Sequence, residues 1–196
     1  MGRYTGPTHK LCRREGIPLC GKDNCPVRTR MAASRIRGKG GRVRRRLSEY
    51  GLQLREKQKA KTIYGVRERQ FRRYFRQALR SRERTGETLL QLLERRLDNV
   101  VYRVGFARTR PHARQLVTHG LIRVNGRRVT IPSIFLGIGD KITLVKKEAL
   151  LYDEVVRPSW LKVKKREKVA EVVALPERKE IGAEVDEKLV VEFYSR

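Results

Sequence analysis

Four side chains near the start of the chain have the types and spacing of a metal site. His9, Cys12, Cys20 and Cys25 follow the pattern H-x2-C-x7-C-x4-C. Soft thiolates and one imidazole at such short intervals suit tetrahedral zinc, which can fold a segment that lacks an apolar core. An iron–sulfur cluster suits the set less well, because histidine is a less usual ligand there. The plainer alternative is three reduced thiols beside an incidental histidine. An odd number of cysteines, all between positions 12 and 25, is not a disulfide framework.

The second chemistry on offer is phosphate binding. Arg108, Arg110 and Arg114 lie in or just before a short helix, with Gln115 and His119 further along it. Guanidinium forks beside the free N–H groups of a helix N-terminus both suit phosphate oxygens. Thr109 stands where an N-cap belongs and Pro111 just inside the first turn, while Gly120 supplies the stop. Ala113, Leu116 and Val117 form the buried stripe of this helix. A preceding helix buries Leu97, Val100, Val101 and Val104 and ends at Gly105. Downstream, Ile122 to Ile131 reads as a hairpin turning on Asn125-Gly126, since a type I′ turn needs two positive φ values. Ile122, Val124, Val129 and Ile131 then share the packed face, and Arg123 and Arg128 point outward, with Asn125 and Arg127 at the turn. The Gly137-Ile-Gly139-Asp140 turn leads to a third strand, Lys141 to Val145, and Trp160 to Val163 and Val169 to Leu175 read as further strands of the same sheet.

Upstream, a helix from about Arg67 to Arg82 carries Phe71, Tyr74, Phe75, Ala78 and Leu79 on one stripe. Aromatics at helical spacing on one face read as core rather than as stacking platforms for bases. Arg69, Arg72, Arg73 and Arg76, with Arg80, remain as RNA candidates. An earlier helix begins after the N-cap Ser48; in it Leu54 faces inward while Arg55, Lys57, Lys59 and Lys61 stay wet. A third amphipathic helix, around Leu89 to Leu93, feeds the central module. Residues 1–46 have little to bury and many charges: Arg3, Lys10, Arg13 and Arg14, then Arg35, Arg37, Lys39, Arg42, Arg44, Arg45 and Arg46. Such a segment is either a disordered basic tail or an arm that orders against RNA.

Composition supports a polyanionic partner. The 196 residues hold 48 Lys+Arg against 21 Asp+Glu, a formal net charge of +27. Residues 1–80 account for +19 of this, residues 81–145 for +7 and residues 146–196 for +1. A chain this basic is self-repelling, and nucleic acid is the natural neutraliser, lying mainly against the first 145 residues. No apolar run approaches the ~20 residues that cross a bilayer, and there is no apolar signal core at the N-terminus. The expected location is cytoplasmic, with no membrane partner.

The ordered motifs Arg96-Leu-Asp-Asn-Val-Val-Tyr-Arg-x-Gly-Phe-Ala107, then Thr109-Arg-x-x-Ala-Arg-Gln-Leu-Val-x-His-Gly-x-Ile-x-Val-Asn-Gly126, then Gly139-Asp140, resemble the RNA-binding module of the small-ribosomal-subunit protein four family. Leu54-Arg-Glu-Lys-Gln-Lys59, Tyr64-Gly65, Glu68-Arg-Gln-Phe71 and the closing Glu192-Phe-Tyr-Ser-Arg196 look like family signatures too, so the likeness spans nearly the whole chain. It implies an α+β protein in three parts. Residues 1–46 would be a basic N-terminal arm with a metal knuckle. Residues 47–95 would be an all-helical domain onto which residues 183–196 return. Residues 96–182 would be an RNA-binding module of two helices packed on a small, mainly antiparallel sheet. Relatives carry a Cys-x2-Cys followed by a Cys-x4-Cys near the knuckle; here His9 takes the first place and the central loop is shorter. The resemblance further implies a structural role in the small subunit, in the cytoplasm or in an organelle. It implies capture of the 5′ domain of 16S ribosomal RNA during assembly, contact with small-subunit protein five, a place near the mRNA entry region and an influence on translational accuracy.

Two rivals remain. RNA-modifying enzymes carry similar modules, but here no phosphate-cradling loop or clustered carboxylates supply catalysis, and no small-molecule substrate is expected. A zinc-containing DNA-binding regulator would need a helix-turn-helix pattern that the module lacks.

Overall fold

The computed structural model describes residues 4–22, 24–29, 48–145, 152, 157–182 and 185–195. It divides into two compact units, one of Met1–Arg72 with Ala183–Arg196 and one of Arg73–Gly182.

In the first unit, α1 (Thr8–Glu15) precedes α2 (Glu49–Tyr64), α3 (Glu68–Leu79) begins, and a C-terminal helix at Glu187–Ser195 completes the unit. The expected cap of α2 forms: the Gly51 N–H donates to Ser48 Oγ at 3.2 Å. The C-terminal helix packs along α2 through its own closing residues. Gln53 donates to Glu192, Tyr50 and Phe193 meet at 5.6 Å between centroids, and Phe71 stacks on Tyr194 at 6.2 Å. The terminal Glu-Phe-Tyr run therefore gives each of its three side chains a partner far away in sequence.

The second unit opens with the end of α3. It continues with α4 (Thr85–Glu94), α5 (Leu97–Val104) and α6 (Arg110–Thr118), of which α5 and α6 pack on five strands. These are β1 (Ile122–Val124), β2 (Arg127–Val129), β3 (Lys141–Leu144), β4 (Leu161–Lys164) and β5 (Val169–Val172). All pairings are antiparallel, in the order β2-β1-β3-β5-β4. The core gathers Leu97, Val100, Val101 and Val104 of α5 and Ala113 and Val117 of α6 against Ile122, Ile142, Leu144, Leu161, Ala170 and Val172 of the sheet. A mixed helical part and a two-helix module on a small antiparallel sheet is the α+β architecture read from the sequence.

Local signals also hold. Thr109 Oγ1 accepts from the His112 N–H, and Asn125 and Gly126 turn the hairpin with φ of 49° and 79°. Gly105 ends α5 at φ 89°, where a Cβ would sit 2.6 Å from the Tyr152 carbonyl oxygen. Three expectations fail. Ile131 lies beyond the end of β2 and is 50% exposed, because the chain leaves the strand after Val129. Leu79, the last residue of α3, is 54% exposed, since that helix is shorter than its apolar pattern. Lys57, expected in water, is buried.

Candidate nucleic-acid interface

The α5–α6 pair owes its geometry to a run of polar side chains that the apolar stripe alone would not predict. Arg96 is buried and donates to Asp98 through two nitrogens, Nε to Oδ1 at 3.0 Å and Nη2 to Oδ2 at 2.6 Å. Its Nη1 donates to the Tyr74 hydroxyl at 2.6 Å. Burial works against the charged guanidinium of Arg96, but the Asp98 carboxylate more than compensates and pushes its pKa above the usual arginine value. The same Asp98 Oδ2 accepts from Arg114 Nη1 at 3.2 Å. One residue on, Asn99 Nδ2 donates to the Glu94 carbonyl and to Glu94 Oε2. Its Oδ1 accepts from Arg110 Nε at 2.8 Å. Arg103 forks onto Glu94 at 2.9 Å through both Nε and Nη2. The guanidinium of Arg110 lies 4.6 Å from the centroid of the Tyr102 ring.

Strand register separates the two faces of the sheet. Ile122, Val124, Ile142, Ala170 and Val163 face the helices, so the intervening positions face away. Arg123, Arg128, Lys141, Lys162 and Lys164 are exposed on that outer face, with Glu171 the acid among the described strand positions there. The sequence reading named the two arginines and missed the three lysines, although the alternation of Leu161-Lys-Val-Lys164 carries the signal. Arg128 Nη2 also donates to the His119 carbonyl; His119, Gln115, Arg108 and Arg127 are exposed, and Thr109 is spent on the cap. Asn125 is exposed but engaged: its Nδ2 donates to Asp140 Oδ1 and its Oδ1 accepts from the Lys141 N–H.

On α3, Arg69, Arg72, Arg73 and Arg76 fall at i, i+3, i+4 and i+7 and are all exposed, opposite the buried Phe71, Phe75 and Ala78. On α2 the expectation needs correction. Lys57 Nζ lies 3.2 Å from Glu68 and 4.1 Å from the Phe193 ring centroid. Lys61 pairs with Glu68 at 2.7 Å and Lys59 with Glu56 at 3.3 Å. Lys57 and Lys61 are committed to the fold because α2 presents them to α3 and the C-terminal helix, and Lys59 is engaged along α2 itself; Arg55 is half-buried. Burial alone would raise the Glu68 pKa, but hydrogen bonds from Lys61 and Tyr194 and the charges of Lys61 and Lys57 bring it down to about 2.

In the N-terminal segment Lys10, Arg13 and Arg14 are exposed on α1 while Cys12 is buried. Arg3, Arg35, Arg37, Lys39, Arg42, Arg44, Arg45 and Arg46 lie outside the described residues. The ligand atoms of His9, Cys20 and Cys25 lie within 4.8 Å of one another, and Cys12 packs in the same cluster. All three cysteines are free thiols. His9 Nδ1 is buried with no hydrogen-bond partner, an arrangement that costs free energy unless something coordinates or bonds it. Burial pushes the Cys12 thiol up to about 12. Burial would raise Cys25 too, but the hydrogen bond to His9 and nearby backbone donors hold it at about 7. Three cysteines and a histidine are thus assembled as a donor set that could hold a metal ion, and soft sulfur with imidazole fits zinc.

Comparison with known proteins covers the chain from end to end. Residues 3–94 match the model of the ribosomal protein S4/S9 N-terminal domain, and residues 95–142 match that of the S4 domain. The chain is 52% identical over 209 residues to small ribosomal subunit protein uS4 of Dictyoglomus thermophilum, covering 100% of both chains. It is 48% identical over 211 residues to uS4 of Thermoanaerobacter sp. (strain X514) and 49% identical over 211 residues to uS4A of Symbiobacterium thermophilum. The coverage is again 100% of each chain.

Proposed function

This chain belongs to the uS4 family of small-subunit ribosomal proteins, structural proteins rather than enzymes, and from that footing we propose that it is a primary binder of 16S ribosomal RNA. It would capture a folded junction in the 5′ domain during assembly and hold together phosphates that repel one another. The observation that carries this reading is the placement of the cations. Four arginines run along one exposed face of α3, and five basic residues share the open face of the sheet with a single acid among the described strand positions. An isolated surface would be costly at this charge density, whereas released counterions make phosphate a favourable partner. Recognition would be mainly of shape, because A-form grooves hide base edges from side chains.

Three finer features belong to the same proposal. Residues 1–46 act as a basic arm, with His9, Cys12, Cys20 and Cys25 holding a structural zinc whose role is to fold a segment with little apolar core. Residues 47–95 with 183–196 act as a helical domain, and residues 96–182 as the RNA-binding module. Family membership supports cytoplasmic residence in the small subunit near the mRNA entry region, contact with small-subunit protein five and an influence on decoding accuracy.

The test is binding of the purified chain to a 16S 5′-domain transcript across a salt series, with scrambled RNA and equal-length duplex DNA as competitors. With ~6–10 phosphate contacts, affinity falls by roughly three to five powers of ten between ~50 and ~200 mM salt, and selectivity for the folded transcript persists. Equal binding to all three nucleic acids would sink the proposal.

A further inference from the structure

The open face of the sheet does not spread its charge evenly. Strand register sets Arg128 beside Arg123 in one cross-strand row, with Lys164 at the far edge of the same row, and Lys141, Glu171 and Lys162 in the next. Glu171 stands between its two lysines, and Lys164 lies 3.6 Å from Glu167. Arg123 and Arg128 sit directly opposite each other on β1 and β2, and among the described residues neither has an acidic partner. Like charges directly opposite on a sheet repel, so this edge holds a strained pair that an anion would relieve.

Arg128 is nevertheless held in one place. Its Nη2 donates to the His119 carbonyl at 3.2 Å, at the end of α6, where the negative end of the helix dipole favours a cation. Its guanidinium lies against the bare Cα of Gly120. A Cβ at Gly120 would stand 2.5 Å from Nη2 and 2.7 Å from Cζ, closer than a real side chain tolerates. Gly120 is buried although Arg128 beside it is exposed. Gly120 has an ordinary reason to be glycine. At φ 70° it stops α6, its N–H donating to the Val117 carbonyl and that of Leu121 to the Leu116 carbonyl. That reason does not require the space beside the Cα to be filled. Gly65 stops α2 at φ 60° with nothing within 4 Å of where its Cβ would be. The seat taken by Arg128 is therefore a second use of Gly120. A guanidinium carries its N–H donors in a rigid planar fork, so a grip on Nη2 also sets the direction of the rest.

We propose that Gly120 and the His119 carbonyl form a seat that presets the Arg128 guanidinium for an RNA phosphate, beside Arg123 on the acid-free edge of the sheet. This rests on the RNA-binding reading above and names how one part of that surface takes hold of its ligand. An arginine on a solvated face loses rotamer freedom when it engages phosphate; one already seated loses less and binds correspondingly better. Gly120 is a positioning residue in this scheme: it touches no RNA and acts through Arg128.

The experiment measures affinity for the 16S 5′-domain transcript across a KCl series, for the full chain and for Arg128→Ala, Gly120→Ala and the double variant, with a thermal melt of each. Arg128→Ala is expected to weaken binding several-fold and lower the salt slope by about one. Gly120→Ala removes no charge, yet it is expected to approach that loss because its methyl group evicts the guanidinium. In the Arg128→Ala background the same substitution is expected to cost nothing further. An equal loss from Gly120→Ala in both backgrounds, or none in the wild type, would overturn the seat. If the wild type selects the folded transcript but Arg128→Ala binds equally well, this edge lies outside the interface; the proposal then falls while the RNA reading stands. A wild type that shows no selectivity sinks the RNA reading and takes the proposal with it. Should Gly120→Ala melt too low to assay, Arg128→Lys keeps the charge without the planar fork. It is expected to retain the wild-type salt slope and lose affinity several-fold, and full wild-type affinity would dismiss the seat.

Discussion

Lys57 shows how a basic side chain can be misread. Its neighbours Arg55, Lys59 and Lys61 make a charge run that looks solvated, yet Lys57 is 5% exposed, over the Phe193 ring and against Glu68. Its partners stand 11 and 136 positions away, so nothing local to α2 reveals them. Replacement by Ala is expected to cost about 1–2 kcal/mol, the lower side of the range for a charged hydrogen bond because Glu68 is partly in water. Urea denaturation measures the cost, and the salt slope of RNA binding should not change. Glu68 adds a pH dependence with a definite sign. Its pKa falls from 4.5 unfolded to about 2 folded. The stability it contributes is therefore fully present above about pH 4.5 and lost as pH falls through about 2. A Glu68→Gln variant should melt below the wild type at neutral pH and approach it in that acid window. A gap that did not narrow there would show that the ion pairs with Lys61 and Lys57 carry no stability.

At the scale of elements, α3 separates fold from function along its own surface. Phe71 is fully buried against Tyr194, so Phe71→Ala opens a cavity and is expected to cost about 3–5 kcal/mol. Arg69, Arg72 and Arg76 share the opposite, exposed face; replacing all three with Ala should barely move the urea midpoint yet reduce the RNA salt slope by about one per lost phosphate contact. The reverse pattern would invert the faces assigned to this helix. Much of this was legible because helix faces, caps and tight turns are written within a few residues: Phe71 to Ala78, Ser48, Thr109 and Asn125-Gly126 all behave as their local chemistry demands. Long-range choices were not. The outer-face role of Lys162 and Lys164 depends on β4 joining the sheet edge beside β5. The internal engagement of Asn125 depends on Asp140 arriving from the next turn. Asp98 and Asn99 were hidden because their position in an apolar helix says they are buried but not what they hold.

For the molecule as a whole, the sheet module and the segment around α1 rely on different sources of stability. Residues 97–172 bury a contiguous apolar core, with Leu97, Val100, Ile122 and Ala170 all at 0% exposure. Around α1 the buried hydrophobic residues among the described ones are Cys12, Cys25 and Val27, with Leu19 and Cys20 packed beside them. A cluster of this size among the described residues supplies little of the free energy needed to order a segment, and each residue ordered costs roughly 1–2 kcal/mol of backbone entropy. Metal ligation is the kind of term that can close such a gap, since a site absent from the unfolded chain makes binding energy into folding energy. Removing metal with a strong chelator should therefore act locally. Amide hydrogen exchange is expected to accelerate across Thr8–Glu15 and around Cys25, and to remain slow across Leu97–Val104. Zinc, added back at one equivalent, should restore protection. Substituting Cys25 with Ser should mimic the chelator, because that thiol is the one held near neutrality by His9 and so most readily supplies a thiolate. If exchange across α1 is slow in metal-free protein and indifferent to added zinc, the cluster is simply a small packed core. The unpartnered His9 Nδ1 would then need another explanation.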